Sequence, residues 1–272
     1  MTTFLVQLSD THIVAPGQLA YGRIDTAPPL ARAVASVGRL RQPPDAVVIT
    51  GDLVDLGQPA EYARLRKLLQ PLLATTPVYL MPGNHDDRTA LRAAFPDHAY
   101  LGHGDFIQYS VPIGGLQLVA LDSVVPRASH GELCDRRLAW LDDELGRLGD
   151  RPVVLALHHP PFTTLIGHMD QIGLAQGREG LATIVAAHPN VERVISGHLH
   201  RAIDVRFAGS LASTAPSTAH QVCLDLRPDA QPQFMFEPPA FRVLAWRAES
   251  GLVSHLAPVG EFEGPFFFHD PE

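Results

Sequence analysis

The chain has 272 residues, 46% hydrophobic and 18% charged, with 21 basic against 29 acidic side chains for a formal net charge of −8. These proportions describe one large domain, or one domain with an appendage, with enough apolar surface for a core, and they exclude general disorder. The acidic balance argues against a chain built to coat nucleic acid or an anionic membrane, and no run approaches the roughly 20 apolar residues of a membrane span.

A strand is predicted at 4–8, then a helix at 30–40 and a strand at 46–49. An amphipathic helix follows at 61–73, where Tyr62, Leu65, Leu68, Leu69 and Leu72 share a face and Arg64, Arg66 and Lys67 lie off it. Strands at 78–81 and 116–121 precede a second amphipathic helix at 135–148, faced by Leu138, Leu141, Leu145 and Leu148. A strand at 153–157, a helix at 180–187 and a strand at 191–195 complete this run. The strands are short, almost wholly apolar and bounded by Gly, Pro, Asp or Asn, as strands buried on both faces are. Their alternation with helices predicts parallel pairing, with crossovers on the sheet faces. After His200, strands at 205–208, 221–226, 241–246 and 252–256, with proline-rich spacers, read as a meander that forms a second sheet with an attached cap. The expected division is a core at 1–200 and a completing, capping and oligomer-contact segment at 201–272.

Fourteen histidines need explaining, and many fall just after strands. Asp10-Thr11-His12 follows the first strand, Gly51-Asp52 the second and Gly83-Asn84-His85-Asp86 the third. His158-His159 follows the strand at 153–157, and Gly197-His198-Leu199-His200 the strand at 191–195. The carboxyl ends of the strands form the binding crevice of an open α/β sheet, so five separate segments deliver Asp, Asn and His to one edge. Taken singly, each motif is as well explained by a turn or a hydrogen-bonded imidazole; together they point to a metal centre. Oxygen and nitrogen donors without Cys suit Mn²⁺, Fe, Co²⁺ or Zn²⁺. Two such cations close together can generate a hydroxide and hold both the attacking and leaving oxygens of a phosphoryl displacement.

These motifs resemble the five blocks of the calcineurin-like metallophosphoesterase superfamily over about 200 residues. The resemblance implies an α/β four-layer α-β-β-α sandwich. Carried over by motif, Asp10, His12, Asp52 and His200 would hold one metal, and Asp52 would bridge to a second held with Asn84, His158 and His198. Asp52 and His85 would be catalytic, with His85 facing the substrate and assisting the leaving oxygen while metal-bound hydroxide attacks phosphorus. Leu56 stands where protein serine/threonine phosphatases carry Arg, and Asp86 where they carry Glu. The chain more closely resembles bacterial class III cyclic nucleotide phosphodiesterases and glycerophosphodiesterases, which implies a small-molecule phosphodiester substrate and no nucleic-acid polymer. A phosphomonoesterase and a scaffold without catalysis remain the alternatives.

Rim residues are less distinctive. His220 would touch substrate by resemblance, with a plain strand-start histidine as the other reading. Tyr21 and Arg23 could line the pocket mouth or sit in a solvated loop, and His168 could join the rim. His159 is expected behind the ligands, orienting them. Phe266, Phe267 and Phe268 suggest a subunit contact, hence a homo-oligomer. The opening residues lack a basic leader and a cleavage site, and two cysteines, Cys134 and Cys223, suit a reducing compartment, so the expected location is cytoplasmic.

Overall fold

The computed structural model of the chain describes residues 1–269, so the last three residues of the expected 201–272 segment lie outside it. The chain begins with β1 (Thr3–Leu8), α1 (Ala27–Gly38), β2 (Ala46–Thr50), α2 (Pro59–Leu73), β3 (Val78–Met81) and α3 (Arg88–Ala94). It continues through β4 (Tyr109–Ile113), β5 (Leu116–Leu121), β6 (Gly131–Glu132), α4 (Asp135–Leu148), β7 (Val153–Leu157), α5 (Gly167–Asp170), β8 (Leu174–Gln176), α6 (Arg178–Ala187) and β9 (Val191–Ser196). Last come β10 (Ile203–Phe207), β11 (Ser210–Thr214), β12 (Gln221–Val222), β13 (Phe234–Met235), β14 (Ala240–Arg247) and β15 (Gly251–Pro258).

Two sheets carry the fold. One has the order β15-β14-β1-β2-β3, the other β10-β11-β9-β7-β5-β4. β1, β2 and β3 run parallel, as do β5, β7, β9 and β11, while the β1–β14, β14–β15, β4–β5 and β10–β11 pairings are antiparallel. Side chains alternate across a strand, and this alternation builds the layers. Leu118, Ala120, Val154, Ala156 and Ile195 face inward and share a core with the first sheet and its helices α1 and α2. Val119, Leu121, Leu155 and Val194 face the other way, onto Leu141 and Leu145 of α4 and Leu181 and Val185 of α6. The result is the helix–sheet–sheet–helix sandwich expected above.

Helix α2 shows how local sequence sets an element. Gln58 and Glu61 form a capping box and Pro59 occupies the first turn, so the helix starts ahead of the predicted 61. Tyr62, Leu65 and Leu69 are fully buried on its inner face, each contributing about 1.5–3 kcal/mol of apolar burial.

The C-terminal strands differ from the single meander expected. β10 and β11 complete the second sheet, whereas β14 pairs with β1 and β15 with β14, returning the chain to the first sheet. Buried Phe241 and Leu244 of β14 join the first core. The segment expected as a strand at 221–226 pairs only over Gln221–Val222, with Phe234–Met235 as its partner.

Candidate metal centre

The motif segments leave the ends of β1, β2, β3, β7 and β9, those after β1, β2 and β9 through backbone turns that L-residues rarely adopt. Asp10, His12, Asp52, His198 and His200 all have positive φ, between 43° and 69°. Such strain, about 1–3 kcal/mol per residue, concentrates where the surrounding structure over-determines a site. The spacing is also tight. A Cβ on Gly83 would overlap the backbone nitrogen and Oδ1 of Asp52, so only glycine lets the loops after β2 and β3 meet.

Backbone groups fix one oxygen of each central carboxylate. Asp10 Oδ1 accepts from His198 N–H at 2.9 Å, and Asp52 Oδ1 accepts from His85 N–H at 2.9 Å. Asp10 Oδ2 has no partner, and Asp52 Oδ2 lies 3.5 Å from His12 Nε2 and 3.4 Å from His158 Nε2. The imidazoles are anchored through their other nitrogens. His158 Nδ1 donates to the Thr50 carbonyl (2.8 Å), His200 Nδ1 to the His220 carbonyl (3.0 Å), and His12 Nδ1 to Asp55 Oδ1 (3.3 Å).

These anchors turn Nε2 lone pairs inward. His12 Nε2 and His200 Nε2 face each other at 3.1 Å, and His158 Nε2 faces Asn84 Oδ1 at 3.1 Å. His198 Nε2 is buried without a partner. Acceptors thus crowd together with only imidazoles between them, and among the described residues no Lys or Arg pairs with Asp10 or Asp52. Buried carboxylates of this kind need a cation. The donor atoms of Asp10, His12, Asp52 and His200 all lie within 4.8 Å of one another. Asp52, with Oδ2 midway to His158, can serve that set and a second one of Asn84, His158 and His198. The residues therefore fit a pair of metal ions.

The electrostatics agree. Burial raises the Asp10 carboxyl to about 7, with repulsion from Asp52 adding to it. Burial lowers His198 to about 3 and His200 to about 4, keeping those rings neutral and able to bind cations. Burial opposes charge on Asp52 too, or raises its carboxyl, but His158, His85 and His12 outweigh this and hold it well below the usual carboxylate range. Burial would likewise discharge His158, yet the Asp52 carboxylate outweighs it and lifts the ring to about 9.

The cluster forms the floor of a cleft of about 610 Å³ walled by Tyr21, His168, Met169, Ile172, His220 and Phe234. His85 lies at the floor with its side chain 31% exposed, and its Nδ1 donates to the Asp55 carbonyl at 2.7 Å. Burial disfavours its proton, but Asp52 and Asp55 outweigh that and raise its pKa. His159 is fully buried with both nitrogens engaged, Nδ1 on Ser123 Oγ (2.8 Å) and Nε2 on the Ser129 carbonyl (3.2 Å). Its ring packs 4.8 Å from that of His198, so it supports the cluster from behind.

Of the rim residues, Tyr21, His168 and His220 line the cleft, but Arg23 does not. The tight turn closed between Ala20 and Ile24 sends Arg23 to a separate surface hollow beside Pro28 and Pro238. Sequence reasoning also missed Asp55, which anchors His12 and His85, and Phe234, which reaches the cleft from β13. Asp55 could have been found by its place three residues after Asp52; Phe234 carries no local signal.

The sequence model of the calcineurin-like phosphoesterase family matches residues 5–202. A probable glycerophosphodiester phosphodiesterase GpdQ from Arcobacter nitrofigilis is 35% identical over 266 residues, covering 98% of this chain and 97% of that protein. A cAMP/cGMP dual specificity phosphodiesterase from Mycobacterium tuberculosis is 33% identical over 219 residues, 79% of this chain and 67% of that one. Among solved structures, a dimetal phosphatase from Danio rerio superposes with a TM-score of 0.64 at 18% identity, covering 95% of this chain and 99% of that one. With its crevice of converging Asp, Asn and His donors, the chain belongs to the calcineurin-like phosphoesterase family.

Proposed function

We infer that this protein hydrolyses small phosphodiesters at a two-cation centre, with cyclic nucleotides or glycerophosphodiesters as substrates. The observation that carries the reading is the convergence of carboxylate, amide and imidazole donor atoms, with Asp10 Oδ2 and His198 Nε2 buried and unpartnered. Asp10, His12, Asp52 and His200 would hold one ion, and Asp52, Asn84, His158 and His198 the other. When bound, Mn²⁺, Fe, Zn²⁺ or Co²⁺ supplies the Lewis acidity that activates a water and neutralises phosphate oxygens.

The chain's own residues do the rest. Asp55 fixes the His85 ring through Nδ1, which leaves Nε2 to hand a proton to the departing alcohol oxygen. Asp52 and Asp10 stay ordered because backbone N–H groups from neighbouring loops hold them. No Lys or Arg lines the cleft among the described residues, which favours the single negative charge of a diester over a monoester dianion. The names of the two bacterial relatives, one a glycerophosphodiester phosphodiesterase and one acting on cAMP and cGMP, support the same substrate class. A cytoplasmic homo-oligomer completes the reading: Phe266, Phe267 and Phe268 are 73%, 79% and 101% exposed, and no helix of the described residues is long and apolar enough to cross a membrane.

The test is turnover of metal-reconstituted protein on cyclic AMP, glycerophosphocholine, a bis-aryl diester and an aryl monoester, with bound metal measured alongside. Asp52→Ala should lose both ions and nearly all turnover. His85→Ala should keep the metal and lose about 10²–10⁴ in rate. Faster turnover of the monoester, or loss of metal from His85→Ala, refutes the assignment.

A further inference from the structure

The cleft above the metal floor has an aromatic wall that the hydrolytic machinery does not use. Tyr21 is 52% exposed, yet its ring lies 5.3 Å from His220 and 6.5 Å from His12, directly over the floor. Phe234 sits 5.4 Å from Tyr21, tilted 34° from parallel, so the two rings pack partly against each other at the cleft wall and leave their remaining faces to it. The backbone under both is held. Tyr21 sits in a left-handed turn (φ 51°) closed by hydrogen bonds between Ala20 and Ile24. Phe234 is fixed by pairing with Val222 and backed by the apolar cluster of Val14, Ala20, Ile24 and Ala219.

We propose that Tyr21 and Phe234 form the surface on which the planar base of a nucleoside cyclic phosphate stacks, so that a nucleotide is the preferred substrate of this cleft. The inference rests on the phosphodiesterase reading above and narrows it. Aromatic side chains that line a cleft beside a reaction centre are contacts for a ligand with a π-face of its own. Met169 and Ile172 add apolar lining to the same cleft, a surface on which a thioether adapts to the outline of a base. A glycerol or ethanolamine group has no planar face to match this wall. A quaternary ammonium would need a box of rings or nearby carboxylates. His220, which could supply a third ring, is only 2% exposed, and Asp52 is the sole carboxylate lining the cleft among the described residues.

The experiment uses full-length, Mn²⁺-loaded protein as wild type, Phe234→Ala and Phe234→Leu. Leucine keeps apolar bulk and backing contacts but has no π-face. The readouts are kcat and KM on cyclic AMP and on glycerophosphoethanolamine, and adenosine binding by calorimetry. In both variants the kcat/KM ratio for cyclic AMP over glycerophosphoethanolamine should fall roughly 10- to 100-fold, through KM, as loss of one base–aromatic stack implies. Adenosine binding should weaken in parallel. A ratio that holds while both substrates suffer alike, or a Phe234→Leu protein that equals wild type on cyclic AMP, overturns the wall. So does a wild type that fails to bind adenosine. If wild type binds adenosine in a Phe234-dependent way but turns over neither diester, the wall stands and the phosphodiesterase reading falls.

Discussion

Removing Asp86 tests how the floor of the crevice is held. Its Oδ2 accepts from Leu53 N–H at 3.0 Å and from Gly83 N–H at 2.8 Å, and its Oδ1 accepts from the Tyr62 hydroxyl at 2.8 Å. One side chain thus ties the loops after β2 and β3 to helix α2, on either side of Asp52 and Asn84. Asp86→Ala leaves the buried N–H groups of Leu53 and Gly83 without an acceptor and the Tyr62 hydroxyl with only the Asp87 carbonyl at 3.4 Å. Each orphaned donor is worth about 1–3 kcal/mol, and water entering the space left behind relieves part of that. The expected loss is about 3–5 kcal/mol. Asp86→Asn should behave differently. Its amide oxygen can take both backbone N–H groups while its amide N–H donates to the Tyr62 oxygen, whose proton turns to the Asp87 carbonyl at 3.4 Å. All donors then remain satisfied, and the loss should be about 1 kcal/mol or less. Urea unfolding in the presence of chelator, read as a midpoint shift at constant m, measures both. An alanine variant within about 1 kcal/mol of wild type, or an asparagine variant as damaged as alanine, refutes the clamp.

Three further outcomes follow from the same contacts. Gly83→Ala should abolish metal binding in a folded protein, because the added methyl collides with Asp52; a variant that loads metal like wild type contradicts that packing. Adding Mn²⁺ to chelated protein at about 100 times its dissociation constant should stabilise by about 2.7 kcal/mol, a rise in Tm of roughly 5–10 °C; no rise argues against buried ligands. Arg66 grips Asp97 through two hydrogen bonds of 2.7 and 2.9 Å and holds its carboxyl down to about 2. Because the folded pKa is depressed, this pair stabilises above the ordinary carboxylate range and stops doing so as pH falls through about 2. Asp97 is 58% exposed, so the difference between wild type and Asp97→Asn, which leaves the Arg66 contacts to Ala94 and Phe95 in place, should be at most about 1 kcal/mol near neutrality and vanish in strong acid. A difference that persists there refutes the pairing.

Much of the sandwich was legible because its strands are buried on both faces. Unbroken apolar runs made 78–81, 116–121 and 153–157 visible to the residue, and the three- and four-residue leucine spacing did the same for 135–148. Where burial is not written in apolar residues, the sequence was silent. β11 reads Ser-Leu-Ala-Ser-Thr, yet Ala212, Ser213 and Thr214 are buried beside β9. β4 carries Pro112, which local pattern assigns to a loop and which an edge strand accommodates. The seven proposed ligands were legible because each follows a strand in a short motif. The cleft walls were legible only in part: Tyr21, His168 and His220 were expected at the rim and line the cleft, whereas Phe234 arrives only through tertiary folding, and the turn at Ala20–Ile24 that turns Arg23 away has no composition marking its direction.

The five left-handed residues at the strand ends also constrain how this chain can change. Glycine would relax the backbone at Asp10, His12, Asp52, His198 or His200, but it would delete the donor atom held there. Neither mutational drift nor engineering for heat resistance can smooth those turns while the crevice keeps its ligands. Gains in stability must come from remote ground such as the outer faces of α2 and α4, leaving the crevice the least negotiable stretch of the polypeptide.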